Sequence, residues 1–262
     1  MSLAPGRELP CSGMVGQVMR SPPEQLPGAT ALFLDFDGTL ADLAPRPDAV
    51  QVDPDLRPTL ERLQVVLDGA LALVSGRAQD DLDPFLAPLR LPTAFEHGAV
   101  RRCANQTLCV APSPPLKTAL ATARALVGQH PGLIMEHKSH SVALHYRLAP
   151  QLEALCHAHM GQAIAGEPSL QLLQGKAVVE VKSVAVNKGE AIAAFLQEAP
   201  FQGRVPVFAG DDVTDEAGFR RVQQLGGIGI KVGDGASCAS YRMADPHSLR
   251  QWLQRISRIH QP

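Results

Sequence analysis

Four short polar clusters in this sequence carry groups that could do chemistry. The first is Asp35-Phe36-Asp37-Gly38-Thr39, directly after the apolar run Ala31-Leu32-Phe33-Leu34. Alternation along a strand sends Asp35 and Asp37 the same way, and carboxylates so close need a cation or a shared proton. The second is Ser75-Gly76-Arg77, after Val74. A hydroxyl, a flexible backbone and a guanidinium together can hold a phosphate. The third is Lys188-Gly189, where a lysine opposes the positive end of a helix dipole unless an anion sits nearby. The fourth is Gly210-Asp211-Asp212-Val213-Thr214-Asp215-Glu216, with four acids in six positions. Hard oxygen ligands beside a phosphate suit magnesium. Each cluster alone has a plainer reading. These are an acidic turn, a helix cap, a solvated lysine and an acid-rich helix start.

The elements around the clusters turn four weak signals into one. The run at 31–34 is too short for a helix and is bounded by turn residues, so it reads as a buried strand. A helix over 55–67, a strand over 70–74 and a helix over 78–86 follow, the pattern of parallel βαβ units. The pattern resumes with helix 189–197, strand 205–209, helix 214–224, strand 227–231 and helix 248–259. In open parallel sheets, ligands bind beyond the carboxyl ends of the strands, where these clusters fall. Between the two halves, 99–102 and 107–110 read as a hairpin. Strands over 133–138, 141–147, 170–174 and 177–182 alternate apolar and polar residues, the mark of an antiparallel sheet with one covered face. The predicted fold is α/β: a Rossmann-like parallel core over 29–113 and 184–262, with an inserted α+β unit over 114–183. Residues 1–28, with prolines at 5, 10, 22, 23 and 27, read as a mobile leader.

In order and type, these residues resemble the haloacid dehalogenase-like phosphatases, whose pattern is Asp-x-Asp-x-Thr, Ser/Thr, Lys, Gly-Asp-x-x-x-Asp. Here these are Asp35, Asp37 and Thr39, then Ser75, Lys188, Gly210-Asp211 and Asp215. More narrowly, the chain from Ala31 to Trp252 is similar to the bacterial trehalose-6-phosphate phosphatases. That likeness is carried by Glu96-His97-Gly98-Ala99, Glu136-His137-Lys138, Ala143-Leu144-His145-Tyr146-Arg147, and Gly175-Lys176 with Glu180. Ser183 departs from it where proline is usual, a change at a hinge. The resemblance implies hydrolysis of trehalose 6-phosphate through an aspartyl phosphate on Asp35, with magnesium as cofactor. Asp37 would be the acid and base, and its backbone carbonyl would help hold the metal. Asp35 and Asp211 would ligate the metal, with Asp215 in support. Lys188 and Ser75 would bind phosphoryl oxygens, alongside Thr39, Gly76 and Arg77. The inserted unit would be a cap, with Glu136, Lys138, Arg147, Lys176 and Glu180 on the sugar. His97 and His145 are left as loop-shaping and packing residues.

Composition limits the alternatives. Apolar residues make up 45% of 262, enough for a sizeable core. A formal net charge of -2 and 4% aromatics give no support to nucleic-acid binding. Five cysteines without a C-x-x-C pair read as reduced thiols. No apolar run approaches the roughly 18 residues of a membrane span. Pro5, Glu8 and Pro10 interrupt any signal-peptide core. The expectation is a cytoplasmic protein with a small-molecule substrate, no nucleic acid and no membrane. Another sugar phosphate, such as sucrose phosphate or a mannosylglycerate phosphate, is the nearest alternative substrate. A non-catalytic sugar-phosphate sensor is the alternative outside enzymes.

Overall fold

The structure, a computed structural model, describes residues 20–44, 46, 49–106 and 108–259. Its larger layer is an eight-stranded sheet, and its first strand, β1 (Thr30–Leu34), lies in the middle. Every residue of β1 is buried, as an apolar run covered on both faces must be. Next in the chain come α1 (Leu56–Val66), β2 (Leu71–Val74), α2 (Gln79–Leu86), β3 (Thr93–Phe95), β4 (Val100–Arg102) and β5 (Leu108–Val110). Helix α1 buries Leu56, Thr59, Leu60 and Leu63, the i, i+3, i+4, i+7 stripe of a helix lying on a sheet.

The chain then leaves this layer. Helices α3 (Lys117–Gln129) and α4 (Glu153–Ile164) cover a four-stranded antiparallel sheet. Its strands are β6 (Ile134–His137), β7 (Ser141–His145), β8 (Leu170–Gly175) and β9 (Val178–Ser183), in the order β6-β7-β9-β8. The chain returns through α5 (Lys188–Phe195), β10 (Val205–Gly210), α6 (Glu216–Gln224), β11 (Ile228–Val232), β12 (Tyr241–Met243) and α7 (Pro246–Ile259). The large sheet runs β12-β11-β10-β1-β2-β3-β4-β5, parallel from β12 to β3 and antiparallel beyond. The α/β class is therefore as expected. Two three-residue strands, β3 and β12, were not in the sequence reading.

Each sheet has its own apolar core. Phe33 of β1 packs against Phe201 and Phe195, with ring centroids 5.5 and 6.0 Å apart. In the small sheet Val142, Leu144, Val179 and Val181 face α3 and α4. The alternate residues Glu180 and Lys182 face the other way, and they are only 6% and 4% exposed. The sequence implies one covered face here; both are covered, because the polar face lies against the large layer. Among the described residues, 20–28 are fastened to the core. Leu26 joins it, Trp252 Nε1 donates to the Pro23 carbonyl at 2.9 Å, and the Arg242 amide donates to Arg20 O at 3.0 Å. Residues 1–19 of the expected leader lie outside the described residues. No described helix is long and apolar enough to cross a membrane.

Candidate active site

The strand order explains why residues far apart in sequence converge. β1 lies between β10 and β2, so the turns after these three strands are neighbours. Asp35 follows β1, Ser75 follows β2, Asp211 follows β10, and Lys188 opens α5. Asp35 is 4% exposed. Its Oδ1 accepts from Lys188 Nζ at 2.6 Å and its Oδ2 from the Thr39 hydroxyl at 3.0 Å. Lys188 Nζ also donates to Asp215 Oδ1 at 2.6 Å. Asp215 Oδ2 accepts from the Asp211 and Asp212 amides, which fixes the acidic turn. Gly38 has φ +77°, and a Cβ there would lie 2.2 Å from Asp211 Oδ2, so only glycine lets the first turn approach the fourth cluster.

Carboxylate oxygens of Asp35, Asp211 and Asp215 lie within 4.8 Å of one another. Burial pushes Asp35 well above the ordinary carboxylate range; Lys188 opposes this, and Asp215 and Asp211 add to it. Burial and Asp215 likewise push Asp211 up to about 6, against the pull of Lys176, whose Nζ donates to Asp211 Oδ2. Burial works against the Lys188 charge, but Asp215 and Asp35 hold it above the ordinary lysine range. Lys188 and Lys176 pair with this trio, and Lys231 adds a third ammonium at the Asp211 carbonyl. Three hard-oxygen donors so close together fit a divalent cation such as magnesium.

Arg77 and Ser75, expected from the sequence at the phosphate, also bond within the protein. Arg77 donates from Nε and from an Nη to the two oxygens of Asp37, both at 2.7 Å. Its guanidinium lies over the Phe36 and Phe85 rings, 5.8 and 5.0 Å from their centroids. The Asp37 carboxylate is thus held by Arg77 and stands apart from the carboxylate trio. Ser75 Oγ accepts from the Arg77 amide at 3.1 Å.

The far wall of the cleft is the polar face of the small sheet. Register pairs Glu136 with Ala143 and Ala143 with Glu180, so the two acids share one row. Lys138 Nζ stands 3.4 Å from Glu136 Oε1 and 3.6 Å from Glu180 Oε1, and donates to the Gly76 carbonyl at 2.8 Å. Burial opposes the charge on Glu180, yet Lys138 and His97 draw its carboxyl well below the ordinary range. Arg147 donates to the carbonyls of Ala44 and Lys176. Neither His97 nor His145 was assigned to the site from sequence, but both line the cleft. His97 Nε2 meets Glu180 Oε2 at 2.9 Å, and His145 Nε2 meets Glu136 Oε2 at 3.0 Å. The alternation Ala143, His145 on β7 was a usable signal for the second. Leu43, Ala44, Arg46 and Val50 also line the cleft, on a loop with no chemical signature in sequence.

Lys182, on the same face, makes a simple stability test. Burial pushes it down to about 8, and its Nζ donates to the Val186 carbonyl. Folding disfavours its protonated form. The penalty is therefore full below pH 8 and is relieved as pH rises from about 8 to the ordinary 10.5. Lys182→Met is expected to raise the melting temperature near neutral pH and to remove that rise in alkali. Thermal unfolding from about pH 7 to about pH 10 checks this, and a less stable variant with an unchanged slope would refute it.

The fold that brings together acids at the ends of β1 and β10, a hydroxyl after β2 and a lysine on α5 is that of the haloacid dehalogenase-like hydrolases. A solved Bacillus subtilis haloacid dehalogenase-like hydrolase superposes with a TM-score of 0.62, over 86% of this chain and 99% of that one. At 15% identity this is a likeness of fold alone. The trehalose-phosphatase family profile matches residues 33–247, and the chain belongs to that family. The trehalose-6-phosphate phosphatase of Escherichia coli is 43% identical over 235 residues, 89% of this chain and 88% of that protein. The C-terminal domain of the Candida albicans trehalose-6-phosphate phosphatase has a TM-score of 0.81 over 91% of this chain and 98% of its own, at 19% identity.

Proposed function

We propose that this protein hydrolyses trehalose 6-phosphate to trehalose and phosphate. One observation carries the reading: a single cleft joins a carboxylate-and-lysine end on the large sheet to a second charged end on the small one, suited to a phosphate and to a carbohydrate respectively. Asp35, Lys188 and Asp211 lie at the first, Glu136, Lys138 and Glu180 at the second, and all six line one cavity. Asp35 is the nucleophile and takes the phosphoryl group as an aspartyl phosphate. Asp37 gives a proton to the leaving sugar oxygen and then takes one from the attacking water, a role that requires its carboxylate to leave the Arg77 fork. Lys188 holds Asp35 and meets the phosphoryl oxygens. Magnesium held by Asp35, Asp211 and the Asp37 carbonyl, with Asp215 in support, would offset the charge of the phosphate dianion.

The unit over 114–183 acts as a cap in this reading. Lys138 to Gly76, Arg147 to Ala44 and Lys176 to Asp211 all bridge the cleft. The space left is about 180 Å³. Ligand pockets usually measure about 300–1,000 Å³, and in this reading the cap opens further to admit a disaccharide phosphate. Charged donors and acceptors on the cap then supply the directed hydrogen bonds that a carbohydrate needs.

A phosphate-release screen across sugar phosphates, with magnesium, is the direct test. Trehalose 6-phosphate is expected to have the highest kcat/KM, at least about 100-fold above glucose 6-phosphate, because two or more charge-assisted bonds to the second sugar are lost there. Equal turnover of both would return the cap to a mere cover. A preference for sucrose phosphate would give the same site a different disaccharide. Binding without phosphate release would make the protein a sensor.

A further inference from the structure

The segment Glu96-His97-Gly98 between β3 and β4 has positive φ at all three residues, 46°, 60° and 108°. Two of them carry side chains, and such backbone is uncommon without glycine or asparagine. Both side chains are polar and almost wholly buried, Glu96 4% and His97 5% exposed. The segment is fastened to the phosphate loop: the Glu96 amide donates to Arg77 O and the His97 amide to Ser75 O, both at 2.9 Å. A Cβ on residue 76 would come within 2.7 Å of the His97 ring, so Gly76 gives the imidazole its seat.

From this seat the two side chains reach the other unit. Glu96 Oε2 accepts from the His140 amide, in the turn between β6 and β7, at 2.7 Å. His97 Nε2 meets Glu180 Oε2 on β9 at 2.9 Å. Facing a carboxylate, Nε2 must be the nitrogen that carries the proton and donates. Burial lowers the His97 pKa, in keeping with a neutral ring. Glu180 Oε1 is buried in a side chain that lines the cleft, with the Lys138 ammonium 3.6 Å away and the Ser141 hydroxyl also drawing the carboxyl down. At that distance the ammonium is an ion-pair partner, and the oxygen can still accept a hydrogen bond from a sugar hydroxyl.

Resting on the function proposed above, we infer that the Glu96-His97 turn is a latch that both closes the cap and aims Glu180 at the sugar. His97 is a positioning residue. It holds one oxygen of Glu180 and leaves Oε1 for a substrate hydroxyl. Glu96 holds the neighbouring turn of the cap. Because both are bonded to the Ser75–Arg77 backbone, a sugar gripped by Glu180 is held in register with the phosphate end of the cleft. That coupling places the latch in the chemical step as well as in binding.

The test uses kcat and KM for trehalose 6-phosphate and for p-nitrophenyl phosphate, which has no sugar. Asparagine tolerates the left-handed backbone but is too short to reach Glu180, whereas glutamine can reach and donate. His97→Asn is expected to lower kcat/KM for trehalose 6-phosphate by about 10- to 100-fold, part of it in kcat, the loss of one charge-assisted bond. Aryl phosphate turnover should stay within about threefold, since no sugar contact is lost, and His97→Gln should recover most of the loss. His97→Asn combined with Glu180→Ala should be no worse than Glu180→Ala alone, because the two act as one unit. Equal losses on both substrates, or additive losses in the double variant, would overturn the latch. If Glu180→Ala is selective for the sugar substrate and His97→Asn is not, the latch alone fails. If Glu180→Ala strikes both substrates equally, the carbohydrate role of the cap fails first. A glutamine variant no better than asparagine would also overturn the hydrogen-bonding role.

Discussion

Asp35→Asn is expected to remove turnover of trehalose 6-phosphate, by about 10⁴- to 10⁶-fold, while leaving the protein folded. An amide is a poor nucleophile and a poor metal ligand. The fold should survive because the side chain keeps its shape and Thr39 keeps an acceptor. Lys188 retains Asp215, 2.6 Å away, so its charge is not stranded. Stability of the metal-free protein should rise slightly, since burial and the repulsion of Asp215 and Asp211 penalise the Asp35 charge more than Lys188 favours it. Phosphate release and thermal unfolding, measured together, settle the point. Turnover within tenfold of wild type would take Asp35 out of the mechanism. Loss of turnover with a collapsed melting transition would give it a structural task instead.

What was legible in sequence follows from what a side chain can announce on its own. The run at 31–34 announces β1 because a strand buried on both faces must be apolar throughout. Helix α1 announces itself by the spacing of Leu56, Leu60 and Leu63. Strands β3 and β12, three residues each, are too short to show a period, and only the register of β2 and β11 draws them into the sheet. Asp35, Lys188, Asp211 and Asp215 were legible because carboxylates and a lysine at strand ends and a helix start are costly without partners. Three things were not. Alternation on β9 sends Glu180 and Lys182 to one face, but whether solvent or the large sheet covers that face is decided by how the two layers meet. The Arg77 fork on Asp37 joins two motifs that chemistry alone would each assign to phosphate. His97 was passed over because its left-handed backbone leaves no sign in a non-glycine residue. Its partner, Glu180, lies 83 residues away.

Removing divalent cations is the second experiment of large effect: exhaustive chelation is expected to stop turnover, and magnesium to restore it. The reason lies in the charges at the phosphate end. Three carboxylates, Asp35, Asp211 and Asp215, crowd a buried site around Lys188 and Lys176, with Lys231 at the Asp211 carbonyl. A phosphate dianion entering that field meets repulsion from the nucleophile that must attack it. At an effective dielectric of about 20, two unit charges 4 Å apart repel by about 4 kcal/mol, or about a thousandfold in rate. A divalent cation reverses the sign of that interaction. Binding should also show without catalysis, because a ligand of the folded state alone stabilises it by about 2.7 kcal/mol at 100 times its Kd. Magnesium should therefore raise the melting temperature of the wild type and raise it less in Asp211→Asn. Calcium, which prefers looser and higher coordination, should raise it too yet support turnover poorly. Full phosphate release after chelation would sink the assignment. So would magnesium-dependent activity with a melting temperature unmoved at saturating magnesium, since the cation would then be acting on the substrate and not on the carboxylates.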